Sequence, residues 1–97
     1  SPEQDFDRMW MAEVIRTATE RARDGGAAWR AFEAYDLAAE RPTYAAVAQR
    51  LGIKESDVRN HLFSVRTKVR EFIREELRDT VETEEEAREE WNAFFGP

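Results

Sequence analysis

The chain contains no cysteine, which excludes disulfide frameworks, thiolate metal sites and cysteine nucleophiles. A single histidine, His61, leaves no partner for a histidine-based catalytic dyad or a multi-histidine metal site. No metal and no cofactor is therefore expected. There is no glycine-rich phosphate loop and no Ser/His/Asp set. Carboxylates are plentiful, but none is paired in an apolar context that would raise its pKa, so an enzyme is not expected. No apolar run approaches the roughly 18 residues of a membrane span, and no leader-peptide pattern opens the chain. A cytoplasmic setting without a membrane partner is the expectation. Ser1-Pro2 reads as a tag remnant or the edge of an excised fragment, so a longer natural protein is expected. β patterning is missing too: no sustained alternation and no hairpin dipeptide lies between apolar runs.

What is present suits one small α-helical domain. The 97 residues are 41% hydrophobic, with three Trp, six Phe and two Tyr, enough to build a core. The charged fraction of 37% is high but not that of a disordered chain. The net charge of −6 is unevenly spread. Residues 1–42 carry six basic and nine acidic groups, residues 43–70 carry six and two, and residues 71–97 carry three and ten. One segment of net +4 thus sits between segments of −3 and −7.

Helical spacing runs throughout. Asp5 can cap a first helix to about Arg23, with Phe6, Met9, Trp10, Val14, Ala18 and Ala22 as its apolar stripe and Gly25-Gly26 closing it in the left-handed conformation. A second helix is predicted over Ala27–Ala39, its core face built from Ala28, Phe32, Tyr35 and Ala39 with Trp29 nearby; Arg41-Pro42 stops it. Thr43 can cap a short third helix, Tyr44–Leu51, and Gly52 supplies a tight turn. A fourth helix begins near Glu55 and continues to Leu77 or beyond, with Val58, Leu62, Val65, Val69, Phe72 and Leu77 as its buried seam. Thr83 and Glu86 fit a capping box opening a fifth, acidic helix with an apolar stripe of Ala87, Trp91 and Phe94/Phe95. Its glutamates read as a solvated face, with a DNA-mimicking tail as the sharper alternative. The prediction is an all-α fold, a compact bundle of about five helices in a single domain spanning residues 1–97.

The informative stretch is Thr43–Leu62, which has the physical logic of a helix-turn-helix extending to about Arg70. Ala45, Ala46 and Ala48 are small enough for a second helix to cross closely. Val47 and Leu51 face the core, Gly52 permits the turn, Ile53 plugs the corner, and Val58 and Leu62 anchor the second helix. That anchoring points Glu55, Ser56, Arg59, Asn60 and Phe63 outward from the N-terminal half of the fourth helix, where a recognition helix meets base edges. Arg59 suits guanine, Asn60 suits adenine and Phe63 can touch a thymine methyl. Arg66, Lys68 and Arg70 suit phosphates.

Nearly the whole chain, residues 5 to 95, resembles the C-terminal domain (domain four) of extracytoplasmic-function sigma factors, in particular members common in Planctomycetes. The resemblance is carried by Phe6-Asp7-Arg8-Met9-Trp10, by Ala31-Phe32-Glu33-Ala34, by Tyr44 to Gly52 and by the Arg-rich, Val-centred helix from Val58 to Arg74. It continues through Arg74-Glu75-Glu76-Leu77-Arg78-Asp79-Thr80-Val81 and the acidic helix from Glu82 to Phe95. It implies sequence-specific contact with the upstream (minus-35) promoter element in transcription initiation, and docking on the β-subunit flap of RNA polymerase core. By position it implies a DNA-facing set of Glu55, Ser56, Arg59, Asn60 and Phe63, with Arg66, Thr67 and Arg70 toward the backbone. Lys54, Asp57, Phe63 and Ser64 depart from the family's usual capping Ser/Thr, small residue, His and Arg. The alternative expectation is a protein-interaction module of the same ancestry, bound by an anti-sigma factor, a kinase or another regulator.

Overall fold

The computed structural model describes all residues from Ser1 to Pro97. It is all-α, with five helices: α1 (Pro2–Arg21), α2 (Ala27–Tyr35), α3 (Tyr44–Leu51), α4 (Glu55–Thr80) and α5 (Glu84–Phe95). Their packing divides the chain into two compact units, one of Ser1–Arg21 with Val69–Pro97 and one of Ala22–Lys68. Helix α4 is continuous and contributes to both. No helix is long and apolar enough to cross a membrane.

In the Ala22–Lys68 unit, α2 packs on α3. The buried side chains are Ala22, Trp29, Ala31, Phe32, Val47, Ala48, Val58, Leu62 and Val65. The Trp29 and Phe32 rings lie 5.3 Å apart, and Tyr35 meets Tyr44 at 4.8 Å. These separations are in the favourable range for aromatic pairs.

In the other unit, α1 buries Met11, Val14 and Ala18, α4 buries Val69, Ile73 and Leu77, and α5 buries Ala87. Trp10 meets Phe94 edge-on at 6.3 Å. The Arg21 guanidinium lies 4.3 Å over the Phe72 ring and bonds Glu75 at 2.5 Å and Glu76 at 3.1 Å. The Glu75 hydrogen bond is the main reason the Arg21 pKa is raised.

Five expectations change. Helix α1 begins at Pro2, not after Asp5: the Ser1 hydroxyl accepts from the Gln4 amide at 3.3 Å, and Pro at the first helical position needs no partner for its missing N–H. Its buried stripe is Met11–Val14–Ala18, and Phe6 and Met9 are exposed. Met9 and Met11 are two residues apart, so one helix face cannot hold both.

Gly25 and Gly26 are not left-handed; only Gly52 and Gly96 have positive φ. The chain turns there because the Asp24 carboxylate accepts from the Gly26 amide at 2.8 Å, a local turn that Asp favours. Helix α2 ends at Tyr35, four residues before Ala39, with Asp36 at its C-cap. Finally, Ile73 rather than Phe72 completes the α4 seam, Phe72 being half-buried under Arg21.

Candidate nucleic-acid interface

The stretch from Thr43 to Lys68 is assembled by local signals. The Thr43 hydroxyl accepts from the Ala46 amide at 3.0 Å, capping α3 as expected. Gly52 follows the helix at φ 70°, ψ 35°. Its neighbour Ile53 donates its amide to the Ala48 carbonyl at 2.9 Å, closing the helix end. A side chain at Gly52 would meet no neighbour, so the glycine is required by backbone conformation alone.

Helix α4 then starts with Lys54 ahead of it, a residue whose side chain cannot accept a capping bond. The structure supplies the other half of the box: the Lys54 amide donates to the Asp57 carboxylate at 3.1 Å. Asp57 is therefore a helix-start residue, which accounts for an acid in this otherwise basic segment.

Val47, Ala48, Val58, Leu62 and Val65 are buried, while Leu51 and Ile53 are half-buried at the turn. Ala45 and Ala46 are exposed, so Ala48 is the one alanine of the three that reaches the core. Burying Val58, Leu62 and Val65 sets the rotation of α4. Glu55, Ser56, Arg59, Asn60, Phe63, Arg66 and Thr67 then share an arc of roughly 140° on the other side, at about 100° per residue. The first five are exposed, Phe63 at 69%.

The side chains on this face differ in how they are held. Arg59 lies 5.3 Å over the Tyr44 ring, and its guanidinium is 3.9 Å from Glu55 one turn earlier. Both contacts are loose, so Arg59 is placed but not consumed. Arg66 is clamped: it donates to both Asp36 oxygens, at 2.7 and 2.9 Å. That bidentate bond raises the Arg66 pKa further above its ordinary value, and hydrogen bonding from the Tyr44 side adds a smaller amount. The same bond explains the early end of α2, since Asp36 is held from a residue 30 positions away.

The Thr67 hydroxyl donates to the Phe63 carbonyl at 2.8 Å, a back-bond within the helix. Lys68 is 3.7 Å from Asp24. Arg70, one turn past Arg66 on α4, belongs to the other unit and is exposed with no ion pair. His61 is half-buried.

The structure thus brings Glu55, Ser56, Arg59, Asn60 and Phe63 together on one solvent-facing surface. Arg66 and Thr67 are turned to internal bonds. Sequence reading missed Tyr44 and Asp36, which hold the two arginines. A Tyr at the first position of α3, with an Arg in the following helix, is the signal that could have found the first. Comparison with protein-family models, curated proteins and solved structures finds no match to this chain.

Proposed function

We propose that the chain is a DNA-reading domain of the sigma-factor type, a helix-turn-helix formed by α3, Gly52 and the N-terminal half of α4. In this reading α4 enters the major groove. Arg59 addresses guanine O6/N7, Asn60 addresses adenine, and Phe63 meets a thymine methyl. Ser56 and Glu55 lie at the entering end of the helix, and the cations Lys68 and Arg70 lie further along, toward phosphates. Arg66 acts mainly through Asp36, keeping α2 against α4 so that the reading face keeps its orientation. The same resemblance brings the expectation of an upstream promoter element as target and the β-subunit flap of RNA polymerase as docking partner.

The observation that carries the reading is the exposed row Ser56–Arg59–Asn60–Phe63 directly behind a seam of fully buried Val58 and Leu62. A buried seam and a polar, uncommitted opposite face are what a recognition helix needs. The test is selection of bound duplexes from a random DNA pool, with and without RNA polymerase core. Enrichment of a short common motif supports the proposal; an unenriched pool in both arms contradicts it.

One observation favours a second reading, a protein-interaction module bound by an anti-sigma factor, kinase or other regulator. Phe63 exposes a large apolar ring beside only lightly held charges, as the centre of a protein contact surface does.

A further inference from the structure

Among the exposed side chains at the start of α4, Arg59 is the one braced from another helix. Ser56, Asn60 and Phe63 make no side-chain hydrogen bond, ion pair or ring contact. Arg59 makes two contacts of different kinds. Glu55, one turn earlier on α4, stands 3.9 Å away with its side chain 48% exposed, a separation at which solvent and salt leave little attraction. The Tyr44 ring, from α3, lies 5.3 Å beneath the guanidinium.

That ring is fixed independently of Arg59. Tyr44 is the first residue of α3, set directly after the Thr43 cap. It is half-buried and packs on the Tyr35 ring at 4.8 Å. Tyr35 in turn carries Arg41 at 5.1 Å and Arg66 at 5.9 Å. The hydroxyl end of Tyr44 serves a different residue: after the Asp36 bond, hydrogen bonding to Tyr44 contributes to the raised Arg66 pKa.

The two arginines are therefore held in ways with different consequences. Asp36 occupies N–H donors of Arg66. A ring attracts the cation without occupying its donors, and those donors are what guanine O6 and N7 require. A long unbraced arginine would lose more rotamer freedom on reading a base, and it could equally turn to a phosphate. Restricting it beforehand lowers that cost and favours the aligned contact.

We propose that Tyr44 is a positioning residue for base reading: its ring, held by Tyr35, aims Arg59 and thereby raises discrimination for guanine. The proposal rests on the DNA-reading function above and adds to it a residue outside α4.

The test measures affinity for the duplex selected from the random pool and for the same duplex with its Arg59-dependent G·C pair replaced by A·T. Tyr44→Leu is expected to lower the preference for G·C by about two- to fivefold, the scale of an exposed cation–π contact. Tyr44→Phe, which keeps the ring and drops the hydroxyl, retains the preference. In an Arg59→Ala background, Tyr44→Leu lowers it no further. A loss in Tyr44→Phe as large as in Tyr44→Leu would overturn the proposal by moving the effect to the hydroxyl and Arg66. The same loss in the Arg59→Ala background would overturn it by placing Tyr44 itself on the DNA. An unchanged preference in Tyr44→Leu, with Arg59→Ala still losing it, would remove the brace and leave the DNA reading standing; no loss in Arg59→Ala would sink both. A readout on the DNA-free chain needs no leucine variant: the Arg59 side-chain protons are expected to be ring-current shifted in the parent chain and in Tyr44→Phe, and random-coil shifts there would also overturn the proposal.

Discussion

In the first half of helix α4, Arg59 rests over a tyrosine ring while Arg66 is clamped by both oxygens of Asp36. In the second half, Arg74 rests over a tryptophan ring while Arg78 faces a highly exposed glutamate. Each half therefore places one arginine on an aromatic face and pairs another with an acid. They differ in how firm the pairing is. The Asp36 side chain is 14% exposed, the Glu84 side chain 83%. A half-sheltered bidentate pair fixes its cation; a solvent-exposed contact leaves the cation available. Counting charges by segment makes residues 43–70 basic and residues 71–97 acidic. It does not reveal that one of the most useful-looking cations of the basic segment is committed, or that these cations of the acidic segment are only loosely held.

The largest expected effect tests the rotation of α4 on which that comparison rests. Leu62 is 1% exposed and its neighbour Phe63 is 69% exposed. Leu62→Ala should cost about 2–5 kcal/mol in urea unfolding, and Phe63→Ala less than about 0.5 kcal/mol. Similar losses from both would mean that the helix presents a different face.

Next comes the Asp36 clamp. Asp36→Ala is expected to destabilise the chain by about 1–2 kcal/mol, with the upper part of that range reduced because the Arg66 side chain is 36% exposed. Glu84→Ala, which removes the looser acid, should change stability by less than about 0.5 kcal/mol. Equal costs for the two acids would erase the distinction between the halves.

A smaller effect belongs to Asp57. Its replacement by Ala removes the acceptor of the Lys54 amide. The expected cost is about 0.5–1 kcal/mol, with faster amide exchange over the first turn of α4 as the local readout. Unchanged exchange there would remove Asp57 from the helix start.

Much of this could be read in the residues. Thr43, Gly52 and Thr83 act within three or four positions of themselves, so their roles follow from local geometry, and all three stand at the ends of the elements expected from them. The Val58–Leu62–Val65 seam is a single unambiguous stripe. The choice between Met9 and Met11 was not legible, because both fit a helical stripe and only packing selects one. Nor was the end of α2, where Asp36 is held by an arginine 30 residues later. Of the eight residues expected at the interface, the five at the start of α4 are exposed together. Arg66 and Thr67 are bonded to the Asp36 carboxylate and the Phe63 carbonyl, partners that leave no mark in side-chain periodicity.

The most direct test of the central claim is the affinity of the chain and its Arg59→Ala variant for a selected duplex and for a scrambled duplex of the same length and salt. If the start of α4 reads bases, Arg59→Ala lowers the preference for the selected duplex by about 1–3 kcal/mol, roughly five- to 150-fold, and changes scrambled-duplex affinity far less. Equal losses on both duplexes would contradict the account, reducing Arg59 to a backbone contact.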